Sequence, residues 1–400
     1  MKIATAWSVD SKGEKAAEAA YSTLMDRLQT PPDLILVHSS CLYDNAAVLK
    51  KLRLLAPGVP VQGGTSCFGV MTEDGYHSRD GKGLGLFAIS DPEGAYGCGI
   101  SPFGDDPRAA TREALGQAIQ NAGRAGESPA AVIVSPAPGG EERIIEAVAE
   151  FLGPHTPIIG GTTADNDMSG QWKQFAGENV EKNGVSIAVL YPTGDIGYAF
   201  HSGYEPTSHT GRVTRAAGRT LYEIDGRPAA RVYDEWTGGL ITGLLPHGGS
   251  MVPSASFTPL GRAVSRIGGV SFFQLSYPAE ALPGEALLVF AEIKEGDEVV
   301  LMHGNRDSLV SRAGRVAAVA LDAAPFPSEE IQGALALFCT GCMLVVQDRL
   351  ADIAVNLRES LRNAPFLSAF TLGEQGCFLD GGNRHGNLMI AALVFGPATE

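Results

Sequence analysis

Four hundred residues exceed what one hydrophobic core organises, and a prior of about 150 residues per domain points to two or three domains. Hydrophobic content of 44% with 19% charged residues is the composition of a globular chain, while a net charge of −15 excludes the clustered Lys and Arg that nucleic acid demands. Six unevenly spaced cysteines make no disulfide framework, and no apolar run reaches the roughly 18 residues of a membrane span.

The first residues, MKIATAWSVDSKGEK, read as a strand followed by a charged helix start. Without a long apolar leader they predict no signal peptide and a cytoplasmic chain with reduced thiols. Strands are predicted at 33–39 and 59–62, with a helix between them carrying Val48, Leu52 and Leu55 at helical spacing. A Gly-Gly-Thr turn and an irregular loop follow. Then GLGLFAIS, the turn DPEG and AYGCGIS read as a β-hairpin.

This pattern then returns. Pairing each residue n from 33 to 66 with n + 97 needs no gap, and sets Val37 on Val134, Pro57 on Pro154 and Gly63-Gly64-Thr65 on Gly160-Gly161-Thr162. The second copy closes with another predicted hairpin, GVSIAVLY, PTGD and IGYAFHSGY. Two copies of one unit predict a shared cleft toward which both Gly-Gly-Thr turns point. The polar, non-periodic segment 205–225 reads as a boundary and hinge. After it come a helix around 227–240, a Gly/Pro/Ser-rich stretch at 243–262, and strands at VSFF, ALLVFAEI and EVVLMHG. A helix at 307–321, the strand 334–338, a long helical pattern at 342–363 and two closing strands complete the chain. The expected class is therefore α/β. A duplicated strand-helix-strand domain with mixed sheets spans 1–205 (units about 1–101 and 96–205), and a mixed α/β domain spans 221–400.

Candidate chemistry gathers at three places. Paired glycines let backbone N–H groups approach a ligand, and neighbouring hydroxyls add donors and acceptors. That makes Gly63, Gly64, Thr65 and Ser66, with Gly160, Gly161, Thr162 and Thr163, candidates for cradling a carboxylate or phosphate. Neither turn matches a dinucleotide fingerprint or a Gly-Lys-Thr loop. Cys67 follows the first turn, but its counterpart is Ala164, and no His/Asp arrangement marks it as a nucleophile. Cys339-Thr340-Gly341-Cys342 stands between a strand and a helix, where redox or metal-binding pairs are found, although the neighbours of a thioredoxin motif are missing. The tail FTLGEQGCFLDGGNRHGN offers Glu374, His385 and Asn387. No C-x-x-C-H occurs, so covalent haem attachment is excluded.

These residues carry a resemblance. The chain resembles bacterial FIST proteins, with an N-terminal FIST domain and a FIST C domain. The likeness runs through P-V-Q-G-G-T-S and G-L-G-L-F-A-I-S in the first half. It continues from Leu221-Tyr222-Glu223-Ile224-Asp225-Gly226 through Phe338-Cys339-x-Gly341, Gly373-Glu374-x-Gly376 and His385-x-Asn387. Cys342, Cys377 and Leu388 depart from the family pattern. The resemblance implies a sensory protein without catalytic turnover. It would bind a small ligand and report to a separate partner such as a histidine kinase, cyclase or chemoreceptor. One branch implies haem as cofactor and nitric oxide as signal; a non-haem amino-acid sensor and a thiol-dependent enzyme are the alternatives. The ligand-binding candidates are the two Gly-Gly-Thr segments, Cys67, Cys339, Gly341, Glu374, His385 and Asn387; no catalytic residue and no metal ligand is assigned.

Overall fold

The computed structural model describes residues 1–252, 254–267 and 269–399; Pro253, within the Gly/Pro/Ser-rich stretch, lies outside them. Three six-stranded mixed sheets and one nine-stranded sheet make up the architecture.

The repeating unit is present three times, not twice. Its first copy runs strand Lys2–Ser8, helix Gly13–Leu28, strand Leu34–Ser39, helix Asn45–Leu55, strand Val61–Thr65, a small hairpin at 70–77 and strand Leu84–Ser90. The second repeats this order from Ala95–Pro102 to Gly184–Tyr191. The third begins with strand Gly194–His201, is interrupted at 205–303, and resumes with helix Arg306–Asp322, strand Gly333–Cys339, a broken helix, strand Phe366–Thr371, a hairpin at 374–386 and strand Ile390–Ala398. In every unit the strand-helix-strand pair is parallel and the remaining pairings are antiparallel.

Each unit also lends its small hairpin to a neighbour. Val70–Thr72 pairs with Phe366–Thr371 of the third sheet, Gln174–Ala176 with Val61–Thr65 of the first, and Glu374–Cys377 with Ile158–Gly161 of the second. The exchange is cyclic, so the three sheets surround a pseudo-three-fold axis. A ring of backbone bonds closes it: Ala164 N–H donates to Thr65 O (3.0 Å), Cys67 N–H to Phe370 O (3.1 Å) and Leu372 N–H to Thr162 O (2.9 Å).

Two expected hairpins are therefore crossovers between sheets. Leu84–Ser90 lies between Lys2–Ser8 and Leu34–Ser39, whereas Ala95–Pro102 pairs with Gly184–Tyr191 in the next sheet. Every residue of Leu84–Ser90 is buried, so the strand needs partners on both edges and cannot serve as one arm of a free hairpin. The turn between the sheets is latched by Asp91, whose carboxylate accepts from the Tyr96 hydroxyl (2.8 Å) and the Thr193 N–H (2.8 Å). GVSIAVLY and IGYAFHSGY separate in the same way.

The expected hinge at 205–225 is also corrected. Residues Glu205–Ala217 form a 13-residue strand with mostly exposed side chains, which joins Glu298–His303 and Thr220–Ile224 in the nine-stranded sheet. Its periodicity is hidden because only Gly211 and Val213 are buried. The boundary at 205–221 thus marks where an inserted sheet leaves the third unit, and strand Gly194–His201 belongs with residues 333–398.

Local signals set the helix limits. Asp44 and Asp106 cap their helices by accepting N–H bonds from Ala47 and Arg108 (3.2 and 2.9 Å). Asn305 and Ser308 form a reciprocal capping box. The long pattern at 342–363 breaks into Thr340–Val345 and Leu350–Ser360.

Candidate functional site

The strand ends at the axis leave a cavity of about 280 Å³. Cys67 enters from the first unit; Pro138, Glu141 and Asp165 from the second; Cys339, Thr340, Gly341, Leu372 and Asn387 from the third. The inserted sheet closes one side with Arg219, Val252, Tyr277 and Phe290. The cavity has an apolar wall (Tyr277, Phe290, Leu344, Leu372, Trp172) and a polar rim.

The rim is built around Glu141, the first residue of helix Glu141–Leu152. Its carboxylate accepts from the Thr162 hydroxyl (3.1 Å), the Gly139 N–H (3.0 Å) and Arg219 Nη2 (2.7 Å). The same Nη2 donates to Glu142 (2.7 Å), whose other oxygen accepts the Glu292 N–H (2.9 Å). Burial alone would raise the Glu142 carboxyl, but the charges of His385 and Arg219 and the Glu292 amide outweigh it and draw it down to about 2. Both Arg219 bonds use Nη2, so among the described residues its Nη1 and Nε have no protein partner. Asp165 is held by the Met168 and Gln171 amides (2.6 and 2.7 Å).

Thr340 supplies a second feature. It is buried and lines the cavity; among the described residues its hydroxyl has no nitrogen or oxygen partner, and the Cys67 thiol is the polar group it faces. A buried polar group left unmade costs about 1–3 kcal/mol, and this hydroxyl is closed off from the open space of the cavity. Asn387 lies beside it; its Oδ1 accepts weakly from Tyr277 N–H (3.4 Å).

The residues singled out in the sequence divide into three groups. Cys67, Cys339, Gly341 and Asn387 reach the cavity. The Gly-Gly-Thr residues lie in and behind the strands that frame it. A Cβ at Gly63 would stand 1.8 Å from the Val37 carbonyl oxygen, and one at Gly64 would stand 2.3 Å from Thr163 Cγ2. At Gly160 and Gly161 it would meet Val134 Cγ2 at 2.2 Å and Thr371 Cγ2 at 2.4 Å. Gly64 and Gly161 permit contact between neighbouring sheets at the axis, Gly63 and Gly160 permit close approach of the adjoining strand in their own sheet, and the cradle expected of their backbone is filled by protein. Thr65 and Ser66 bond to Lys173 N–H and Phe370 N–H, Thr162 holds Glu141, and Thr163 accepts from Gln174.

Glu374 and His385 form the third group and lie off the cavity. Glu374 is fully buried, accepting from the Thr371 hydroxyl (2.8 Å) and the Met389 N–H (3.1 Å), and burial pushes its carboxyl well up. His385 opens on a separate cleft of about 190 Å³ with Glu142, Arg262 and Glu292. The hairpin places them there, because alternate residues of a strand point to opposite faces. Sequence reading missed Glu141, Asp165, Arg219, Tyr277, Phe290 and Thr340. Only Thr340, between two flagged residues, and Asp165, just past the second repeat's turn, carried a local signal.

Two family models cover most of the chain: the FIST N domain matches residues 33–227 and the FIST C domain residues 229–377. The chain is a FIST-domain protein. FIST domains are associated with sensory signal transduction. An uncharacterized protein of Methanocaldococcus jannaschii is 35% identical over 95 residues, which is 24% of this chain and 18% of that relative's length. Two solved structures of cyanuric acid hydrolase, one from A. caulinodans, align over 99% of both chains. Their identities are 11% and 12% and their TM-scores 0.35 and 0.31. The expectation of a chain without catalytic turnover is withdrawn, since these full-length matches are to an enzyme; at such scores they assign this FIST protein no reaction.

Haem requires an axial donor beside an apolar slot. Among the described residues no histidine lines the axial cavity. Burial pushes the Cys67 thiol up to about 12 and Cys339 well above its ordinary value. These residues do not fit haem. Among the described residues no helix is long and apolar enough to cross a membrane.

Proposed function

We propose that this FIST protein is a cytoplasmic sensor that binds a small carboxylate-bearing metabolite, of the size and polarity of an amino acid, in the axial cavity. The bound state then passes to a separate signalling partner such as a histidine kinase, cyclase or chemoreceptor. The observation that carries this reading is a guanidinium with unused donors at the rim of a cavity that has an apolar wall. Arg219 Nη1 and Nε match a carboxylate, and Asn387 matches a second polar group. Tyr277, Phe290 and Leu344 accept an apolar side chain. A volume of about 280 Å³ lies at the small end of ligand pockets, which run from about 300 to 1,000 Å³.

Trp172 lines the cavity and serves as reporter. Titrating the twenty amino acids and short carboxylic acids should give a saturable change in tryptophan emission with at least one of them. Trp172→Phe should abolish the change while calorimetric binding persists. Arg219→Met should weaken binding of the carboxylate by at least tenfold, as expected for a lost charge-assisted bond of about 1.5–3 kcal/mol. No saturable binding across the panel, or undiminished affinity in Arg219→Met, would refute the reading. Recovering the ligand after incubation, intact or chemically changed, separates binding from turnover.

A further inference from the structure

Behind the cavity wall lies a group of buried titratable side chains that ligand binding does not use. Arg312, on helix Arg306–Asp322, is fully buried. Its guanidinium donates to the carbonyls of Leu388 (2.9 Å) and Met389 (3.3 Å), and among the described residues its Nε has no partner. It lies over the rings of Tyr204 (5.5 Å) and Phe338 (5.1 Å), and no carboxylate pairs with it. A buried cation in this state requires nearby negative charge. Cys342 is the anionisable group that acts most strongly on it, ahead of Tyr204, Cys339 and Glu374. Cys342 Sγ lies 3.4 Å from Tyr204 Oη, which is also 2.6 Å from Ser256 O. Cys339, three residues earlier, is on the cavity wall.

We propose that Cys339 and Cys342 are an oxidisable dithiol, a modification site that a small hydroperoxide entering the axial cavity converts to a disulfide. Residues three apart across a first helical turn fall within the Cα separation that a disulfide accepts, about 4.4–6.8 Å. Burial opposes ionisation of Cys342, yet the hydrogen bond from Cys339 and the Arg312 charge outweigh it and draw the thiol below its ordinary value. Cys342 therefore holds the thiolate and Cys339 the proton, and the reaction uses both.

Cys342 takes the Cys339 proton, and the Cys339 sulfur attacks one peroxide oxygen. An S–O bond forms, the O–O bond breaks, and hydroxide leaves, becoming water with a proton from solvent. The Cys342 sulfur then attacks the Cys339 sulfur. The S–S bond forms, the S–O bond breaks, and the second hydroxide takes the proton released by Cys342. Two thiols lose two electrons and the peroxide is reduced to two waters. Oxidation removes a polar wall group from the cavity and cancels the counter-charge of Arg312. The proposal stands on the cavity's geometry and is independent of its ligand's identity.

The test treats full-length protein with hydrogen peroxide, blocks free thiols by alkylation and analyses tryptic peptides by mass. Both cysteines fall in the peptide 316–349. The expected result is that this peptide escapes alkylation and loses the mass of two hydrogens before Cys98 or Cys377 reacts. Cys339→Ser and Cys342→Ser should each abolish that species. Arg312→Lys, which keeps the charge, should react at close to the wild-type rate, whereas Arg312→Met should react roughly tenfold more slowly near pH 7 and recover at higher pH, because less thiolate is present. Should Arg312→Met fail to fold, the wild-type rate against pH supplies the same reading: it should rise with an inflection below that of an ordinary thiol. Alkylation of both cysteines after peroxide, or an inflection at or above the ordinary thiol value, would overturn the proposal.

Discussion

Glu142→Gln tests whether the inserted sheet is locked to the second unit by charge. The carboxylate joins Arg219 and the Glu292 amide, both in the insertion, to a helix of the second unit. Its pKa of about 2 lies below the ordinary 4.5, so the stabilisation is fully present above about 4.5 and is lost as pH falls through 2. A displacement of that size corresponds to about 3 kcal/mol. The side chain is 23% exposed and the His385 charge, outside the insertion, supplies part of the lowering, so about 2 kcal/mol is the most that Arg219 and the Glu292 amide contribute. Glutamine preserves the shape and removes the charge. Hydrogen exchange at the amides of strands Thr220–Ile224 and Leu287–Val289 reads the local opening free energy without assuming that 400 residues unfold in one step. At pH 7 those amides should exchange faster in the variant, by up to roughly thirtyfold. The gap should narrow as pH falls below 4.5 and largely close by pH 2. Equal exchange at pH 7, or a gap independent of pH, would show that the ion pair does not hold the insertion.

Three further outcomes follow from the packing. Gly63→Ala places a methyl group against the Val37 carbonyl and should cost about 3 kcal/mol or more, seen as a lowered melting temperature or loss of soluble protein. Asp91→Asn removes the charge from the latch at Tyr96 and Thr193 and should cost about 1–3 kcal/mol by denaturant titration, with the cavity's ligand affinity unchanged. Thr340→Val removes a buried hydroxyl that has no nitrogen or oxygen partner among the described residues, so stability should hold or rise by about 1 kcal/mol, as measured by calorimetric melting.

The duplication was legible because its two copies align without a gap from residue 33 to 66. The third copy was not. An insertion from 205 to 303 separates its first strand from its first helix, and Ser368-Ala369-Phe370 stands where the others have Gly-Gly-Thr. The glycine pairs were read as ligand cradles, since sequence shows that a residue lacks a Cβ but not what fills the space. Here that space holds Val37, Thr163, Val134 and Thr371. The crossovers were read as hairpins because adjacency in sequence is the only pairing cue a short turn offers; cyclic exchange among three sheets has no local signature. Arg219, in the polar segment taken for a hinge, meets Glu141 across 78 residues, a contact that periodicity cannot reveal.

The insertion is what makes the axis suited to sensing. Three equivalent units would give a symmetric junction closed by its backbone ring, with nothing to distinguish one side. Because only the third unit carries the inserted sheet, one side of the cavity is walled by Arg219, Val252, Tyr277 and Phe290 while the other belongs to the axial strands. An occupant that touches both walls binds the docked insertion better than the undocked one, and that difference alone sets how far it can move the equilibrium. At a hundred times its dissociation constant, a ligand specific for the docked form adds about 2.7 kcal/mol. That adds to the Glu142 lock, which contributes up to about 2 kcal/mol in the same direction. Both terms favour the docked insertion and add to the buried core it shares with the third unit, so weakening Glu142 or Arg219 should make the insertion's protection from exchange depend more on what the cavity holds.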